Sequence, residues 1–489
     1  MTDLLTGSPA RKISMFCLPL LVGNLFQQLY SMADSMIVGR FMGTEAFAGV
    51  SGTGSMNFLI IGFVLGLCSG FAIPAAQDFG AGDMQGVRRA VAHCLWLGAA
   101  LTAVLTALMF FLTDDLLTLL NTPSELYTYE YEYIHVIFTG MAVTMLYNML
   151  AGILRAVGDS RTPLLFLILS CLLNIVLDVV FISAFQMGVA GAAWATLCSQ
   201  LISGVLCLVY MVRRFPQLIP HGDEWKLRSA YAGRLLKNGL PMGLQFSITA
   251  IGSVTMTAAV NSLGVHAVAA VGAASRVHNI VTCPMDALGV GMATFCSQNL
   301  GAGKIRRIRL GVRQMTGIGM LYSVLSCAVL GFFGRTMVML FVSATETEVL
   351  NLTAQYLLID GFFFPALLVI FVYRNSLQGL GYSREAMLAG VFELIGRVFV
   401  ASLLVGRFGF TAACFASPAA WVAAGALLLT LYWLKMGALI RREQALERVH
   451  GPAEAALDAE TEENAENARL RRLPRWNLKN RRVAGAVKG

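Results

Sequence analysis

The residues best suited to chemistry are a few polar side chains placed inside long apolar runs. Asp34 lies near the end of the apolar stretch 15–39, and a later run holds Asn174 and Asp178 four residues apart. If that run is helical, both of its polar side chains lie on one face. A carboxylate inside a membrane helix costs about 2.5 kcal/mol or more. A functional role or a bonding partner is therefore the expected reason for keeping it.

Counting along the helices places these groups at a similar depth. Asp178 follows Pro163, where its span begins, by 15 residues, which is ~22 Å of a ~30 Å apolar core. Thr196 lies ~12 Å into the next span from the opposite side. Two carboxylates, an amide and a hydroxyl suit a hard cation, and a desolvated carboxylate pair equally suits a proton. We therefore predict an H⁺ or Na⁺ site at Asp34, Asn174, Asp178 and Thr196. In the alternative, each group bonds nearby backbone and only fixes the packing.

The composition sets the class of protein around this site. Of 489 residues, 57% are hydrophobic and 13% are charged, against about 25% charged in soluble proteins. Apolar runs of membrane length recur along the chain, which predicts an all-α polytopic membrane protein. Twelve transmembrane helices are predicted at 15–38, 54–77, 91–112, 133–154, 163–184, 188–212, 240–261, 270–297, 312–333, 354–377, 386–406 and 410–434.

The loops alternate in charge and so predict the topology. Basic residues collect in every second loop and in the tail 435–489, while the other loops carry most of the loop acids. By the positive-inside rule the basic loops are cytoplasmic, and both termini lie inside. The formal charge of +8 therefore reports topology and gives no support for nucleic-acid binding. We expect a multi-pass protein of the plasma (inner) membrane.

An internal repeat divides the chain. A shift of about 221 residues superposes 77–82, QDFGAG, on 298–303, QNLGAG, and Gly43 on Gly264. With slight slippage Pro19 meets Pro241. We predict two six-helix lobes, 1–212 and 238–434, joined by a cytoplasmic linker at 213–237. An even number of spans gives both lobes one orientation, with a cavity between them.

The second half carries other buried charges. Glu393 and Arg397 are four residues apart, a spacing that favours a structural ion pair within one helix. Arg397 stands where the repeat has Asn174, so the first-lobe site has no copy. Asp286 and Asp360 are weaker candidates for binding, which Arg276 is expected to neutralise in part.

Several other sequence patterns indicate helix packing or give no support for a function. The spacing of Gly62, Gly66 and Gly70 predicts a close-packing helix face. The segment 301–304, GAGK, lacks the remaining parts of a Walker motif, and no hydrolase motif occurs. The ten cysteines lie singly in apolar runs, which favours buried thiols. We therefore expect no enzyme activity, no cofactor and no bound metal beyond a possible Na⁺.

Together these residues resemble a known family. The elements that carry the likeness are Pro19, the Gln27-Gln28-Leu29-Tyr30-x-x-x-Asp34 segment, the Gln-x-x-Gly-Ala-Gly turns and Asn174-x-x-x-Asp178. They are similar to the multidrug and toxic compound extrusion family over about 12–440. The resemblance implies a cation-coupled antiporter of amphipathic, often cationic, organic compounds. It also implies that Gln27, Tyr30 and Tyr133 line the neighbouring cavity.

The resemblance further suggests a branch and a mechanism. Some branches use an acid on the seventh helix, and this chain has none between Gln245 and Asn261, which favours the branch with its acidic site in the N-terminal lobe. We expect alternating access by rocking lobes, with helix 1 bending at Pro19, in a protein that works as a monomer among membrane lipids. The alternatives are a flippase for a lipid-linked saccharide, which a basic cavity would favour, and a membrane receptor or scaffold without transport.

Overall fold

The structure is a computed structural model that describes residues 2–119, 122–339, 341–343 and 345–471. Within those ranges all regular secondary structure is helical. The first half holds α1 (Pro9–Met42), α2 (Thr44–Gly52), α3 (Gly54–Gly80), α4 (Met84–Leu119), α5 (Ser124–Thr139), α6 (Met141–Ala156), α7 (Arg161–Val179) and α8 (Gly188–Arg214). The second half holds α9 (Ser229–Asn261), α10 (Val265–Gly301), α11 (Ile305–Val338), α12 (Thr347–Phe362), α13 (Phe364–Val369), α14 (Asn375–Gly379), α15 (Ser383–Phe399) and α16 (Val405–Arg471).

The helices account for twelve membrane spans. In the described part of the chain nine are long and apolar enough to cross a membrane, and two bent pairs, α5–α6 and α12–α14, raise the number to eleven. The last of the nine, Ser383–Ala445, has 63 residues, or ~95 Å of helix, about three times the apolar core. Gly409 interrupts it with non-helical dihedral angles, so it comprises two spans. The all-α twelve-helix fold predicted from the sequence is confirmed.

The backbone repeats in the way the sequence repeats. Four pairs of glycines with positive φ recur at almost constant spacing: Gly43 and Gly264, Gly82 and Gly303, Gly158 and Gly381, Gly188 and Gly409. Each bent helix pair turns by 51° at the same place in its half. π-helical turns follow α7 at Val180–Ala184 and α15 at Val400–Leu404. The two halves therefore share one chain path.

Glycines on α3 bring the two halves into close contact. A Cβ on Gly66 would lie 2.5 Å from the carbonyl oxygen of Met242, and one on Gly70 would lie 2.5 Å from the Cα of Gly239. Gly62 faces Phe246 on the same helix, α9. The close-packing face predicted from the glycine spacing is confirmed, and its partner is α9 of the other half.

The turns after α3 and α10 meet across the boundary between the halves, at what we call the basic end. Gly80 packs on the backbone of Gln298, and Gly301 packs on the backbone of Gln77. The Gln77 amide donates to the carbonyl of Gly379 at 3.1 Å, and the Gln298 amide donates to that of Ala156 at 2.7 Å. The halves are thus closed against each other at the basic end.

Residues 2–8, the N-terminal strap, lie across this closure. The Thr2 amide donates to the Gly158 carbonyl of the first half at 2.8 Å. Arg307 of the second half donates to the carbonyls of Leu4, Thr6 and Gly7. The side chain of Leu4 is 1% exposed. The strap therefore ties both halves together at the basic end.

The predicted linker 213–237 is shorter in the structure. Short 3₁₀ turns occupy Pro216–Leu218 and Gly222–Trp225, and α9 begins at Ser229. Arg88 holds Glu224 through a bidentate ion pair with contacts of 2.7–2.9 Å. This hydrogen bonding lowers the pKa of Glu224 to about 2. The linker is thereby fixed to α4, while residues 472–489 of the predicted tail lie outside the described residues.

Candidate functional site

The site is built by α1, α7 and α8, which pack against one another in the first half. Asp34 on α1 is 8% exposed, and Asp178 on α7 is fully buried. Their carboxyl groups lie close enough together to share a side-chain hydrogen bond. A carboxylate only accepts hydrogen bonds, so such a bond requires one of the two to hold a proton. One oxygen of each, Oδ1, has no hydrogen-bond partner in the described structure.

A chain of hydrogen bonds leads from this carboxyl pair to a cavity. Both ends of the Asn174 side-chain amide have hydrogen-bond partners in one orientation. In it the nitrogen donates to Asp178 Oδ2 at 3.0 Å, and the oxygen accepts from the Thr196 backbone amide at 3.0 Å. The Thr196 hydroxyl then donates to the same Asn174 oxygen at 3.3 Å. It lies 3.2 Å from the Tyr30 hydroxyl, which acts as donor to it. The four predicted site residues are thus brought together, with Tyr30 as a fifth member.

The cavity beside the chain measures about 370 Å³. Its walls include Pro19, Gln27, Tyr30, Asn174 and Thr196, so Gln27 and Tyr30 lie where the resemblance suggested. The carboxyl pair is not part of the lining and reaches it only through the hydrogen-bonded chain. This arrangement connects ligand-facing groups to a buried proton.

Of two other predicted residues of the first half, only Tyr133 lies differently from expectation. Tyr133 does not line this cavity: it is buried and interacts electrostatically with Asp34 and Asp178. Pro19 lies within α1, which continues unbroken from Pro9 to Met42. Because proline lacks an N–H, the helix lacks one internal hydrogen bond there, which leaves a place where bending is easy.

The predicted ion pair of the second half, Glu393 with Arg397, is present, but it is not the closest contact of Glu393. Glu393 and Arg397 approach only to 3.9 Å. The close partner of Glu393 is Arg374, which lies in a π-helical turn, Ile370–Arg374. Helical spacing identifies neighbours on one helix, whereas this contact joins two. Arg374 stands inside the predicted span 354–377, and a charge in an apolar run is the signal that could have found it.

In the described part of the chain Arg276 pairs with neither Asp286 nor Asp360. Its side chain is exposed. Asp286 instead accepts from the Asn24 amide at 2.8 Å. Asp360, 1% exposed, lies 2.5 Å from His278 Nδ1. Both partners come from other helices, so spacing along one helix gives no indication of them.

A second cavity, also about 370 Å³, adjoins the first between the halves. The two share several wall residues, among them Arg155 and Asp286. The sequence placed Arg155 in a basic loop, but α6 extends to Ala156 and carries Arg155 in its last turn. Arg374 and Arg397 line the second cavity. The central cavity thus has three arginines, Arg155, Arg374 and Arg397, on its walls.

Two six-helix halves around a shared central cavity are the architecture of a polytopic membrane transporter. The MatE family model matches residues 19–180 and 241–403, once in each half. The chain belongs to this family of transporters.

Curated relatives and a solved structure agree with this family. A probable multidrug resistance protein, YpnP of Bacillus subtilis, is 31% identical over 84% of this chain and 89% of its own. A FAD transporter of Shewanella oneidensis is 24% identical over 80% of this chain and 87% of its own. A crystal structure of a MATE protein in complex with MaL6 superposes with a TM-score of 0.84, at 23% identity, over 90% of this chain and 99% of that one. That last likeness concerns the fold.

Proposed function

We propose that this protein is a secondary active antiporter that exports amphipathic organic compounds in exchange for protons. The observation that carries the proposal is the hydrogen-bonded pair of buried carboxyl groups, Asp34 and Asp178, connected to the cavity through Asn174, Thr196 and Tyr30. Two such groups hold one proton between them and have capacity for a second. A change in their protonation changes the hydrogen bonds that reach the cavity wall.

The choice between H⁺ and Na⁺ as the coupling ion rests on the same contact between Asp34 and Asp178. Sodium would need several of these oxygens directed at one point. Here the carboxyl groups face each other, while the Thr196 hydroxyl and the Asn174 oxygen bond to one another. Asp178 Oδ2, the Asn174 oxygen and the Thr196 hydroxyl are thus already engaged in hydrogen bonds, and Oδ1 of each carboxyl group is left without a partner in the described structure. The arrangement therefore favours H⁺ as the coupling ion, with Na⁺ as the alternative.

The coupling follows from differential binding. Protonation removes charge from the pair and relaxes the hold of α7 on α1, so that α1 can bend at Pro19, where its helical hydrogen bonding is already interrupted. Pro19 and Tyr30 both line the cavity, so bending alters the surface that contacts the substrate. Exchange requires that proton and substrate favour opposite conformations. Because α1 forms part of the wall that contacts the substrate, bending of α1 on protonation can favour one conformation while the substrate favours the other.

The alternating motion is a rocking of the halves about their glycine-packed contact. With the basic end closed by Gln77, Gln298 and the strap, the described conformation corresponds to a cavity sealed from the cytoplasm. This orientation follows from the positive-inside rule, with both termini cytoplasmic and the protein in the plasma membrane. Small organic compounds are the proposed substrates, in line with the names of the multidrug relatives.

A lipid-linked saccharide flippase is the second candidate. The observation that favours it is the set of arginines on the cavity walls: Arg155, Arg374 and Arg397. Flippase activity predicts transport of a membrane-embedded substrate without dependence on the carboxyl pair, whereas antiport requires that pair.

Transport from proteoliposomes under separately imposed gradients tests the proposal. Potassium and valinomycin hold the membrane potential constant while a proton gradient or a sodium gradient drives efflux of a trapped amphipathic dye. We expect the proton gradient alone to accelerate efflux. Acceleration by sodium alone would overturn the assignment of the ion, and no acceleration by either would overturn the proposed antiport.

A further inference from the structure

Arg155 is a cation without a counter-ion at the point where the two cavities join. It lines both of them, and in the described part of the chain no hydrogen bond or ion pair engages its guanidinium. The titratable groups with which it interacts electrostatically are Tyr147, Cys68 and Cys207. These groups are neutral at ordinary pH. Among the described residues, no carboxylate therefore pairs with Arg155.

Neither carboxylate on the cavity walls forms an ion pair with Arg155 in the described part of the chain. Asp286 accepts from Asn24 at 2.8 Å. Glu393 is held by Arg374, with Arg397 at 3.9 Å. The cavity walls thus carry three arginines and two acids, and one of those acids is shared between two of the arginines. The walls therefore have a net positive formal charge, and among the described residues Arg155 is the wall arginine that makes no ion pair.

The surroundings of Arg155 suit a ligand that is part charged and part apolar. The small residues Gly152, Ala72 and Ala76 line the second cavity together with Arg155, and Phe246 lies on the wall that both cavities share. Phe58 and Phe371 add aromatic surface further along the second cavity. A guanidinium binds carboxylate, sulfonate or phosphate groups through two parallel hydrogen bonds. Aromatic faces bind an apolar body.

We propose that the central cavity binds amphipathic organic anions, with their acidic group on Arg155 and their apolar body along Phe246. The inference rests on the proposed function and narrows its substrate class, since the family resemblance alone suggests compounds that are often cationic. The acidic group can belong to a free compound or to an anionic lipid headgroup. Both present the same chemistry to Arg155.

Binding to the purified full-length protein in detergent tests this directly. Isothermal titration compares two probes with the same ring system, naphthalene-2-sulfonate and trimethyl(2-naphthyl)ammonium. We expect the sulfonate to bind at least tenfold more tightly than the ammonium. Arg155→Gln should weaken sulfonate binding at least tenfold and change ammonium binding less than twofold. Arg155→Lys keeps the positive charge but cannot make the two parallel hydrogen bonds of a guanidinium, so it should retain part of the affinity for the sulfonate.

The controls separate the possible outcomes. Arg276→Gln removes an exposed arginine and should leave both affinities unchanged. Dihexanoyl phosphatidic acid, titrated against dihexanoyl phosphatidylcholine, distinguishes a lipid headgroup from a free anion as the preferred source. Equal binding of the sulfonate by the unaltered protein and both Arg155 variants would overturn the proposal, as would tighter binding of the ammonium. Because no gradient is present, failure of the antiport leaves this result unaffected.

Discussion

Gln77 and Gln298 make the same hydrogen bond in opposite directions across the boundary between the two halves. Each amide donates to a backbone carbonyl just before the equivalent turn of the other half, Gly379 and Ala156. The duplicated sequence therefore produces a two-fold symmetric closure at the basic end. A rocking motion that opens the cavity to this side has to break both bonds together.

Replacing these glutamines should shift the equilibrium toward opening at the basic end. A hydrogen bond contributes about 0.5–1.5 kcal/mol, so Gln298→Leu should shift the populations about 2- to 12-fold. Gln77→Leu should shift them further, because Gln77 also accepts from Arg234 at 3.1 Å. Hydrogen exchange in segments 74–84 and 295–305 measures the shift. Exposed Gln85 provides the control variant Gln85→Leu, and exchange equal to that control would contradict the closure.

The glycine contact between α3 and α9 predicts a clear stability difference. Gly70→Ala places a Cβ against the backbone of Gly239, and overpacking of this kind costs about 1–3 kcal/mol. Gly272→Ala is the matched control, since nothing lies within 4 Å of its added Cβ, and alanine favours a helix by up to about 1 kcal/mol. Thermal unfolding in detergent should show a lower midpoint for the first variant only. Equal midpoints would mean that the halves do not depend on this contact.

The strap should be released by a single change. Arg307→Ala removes the hydrogen bonds to the carbonyls of Leu4, Thr6 and Gly7. We expect residues 2–8 to exchange amide hydrogen markedly faster and to become accessible to added protease, while exposed Arg313→Ala changes neither. Unchanged protection in Arg307→Ala would contradict this prediction and show that the remaining contacts, among them the burial of Leu4 and the Thr2–Gly158 hydrogen bond, hold the strap.

The first-lobe site could be predicted because the depth of a side chain in the membrane and the direction it faces both follow from counting residues along its helix. Depth in the membrane grows by a fixed rise per residue, and the spacing of Asn174 and Asp178 fixes their common face. Thr196 and Asp34 then follow from their own depths. The role of Tyr30 as the link to the cavity depends on side-chain orientation, which depth does not specify.

Counting along single helices did not identify the closest partners of the charged residues in the second half. Glu393 pairs with Arg374 and Asp360 with His278, and each pair joins two different elements. Such partners depend on how helices are rotated against one another. Arg155 was missed for a different reason: a difference of two residues in the end of α6 decides whether it lies in a loop or on a cavity wall.

The central claim is that the Asp34–Asp178 pair carries the coupled proton. The most direct measurement is the initial rate of dye efflux from proteoliposomes under an imposed proton gradient, for Asp34→Asn, Asp178→Asn and the exposed control Asp115→Asn. We predict that both site variants fall to the rate of protein-free liposomes while reconstituting normally, and that Asp115→Asn keeps the full rate. Undiminished proton-driven efflux by Asp34→Asn would contradict the account.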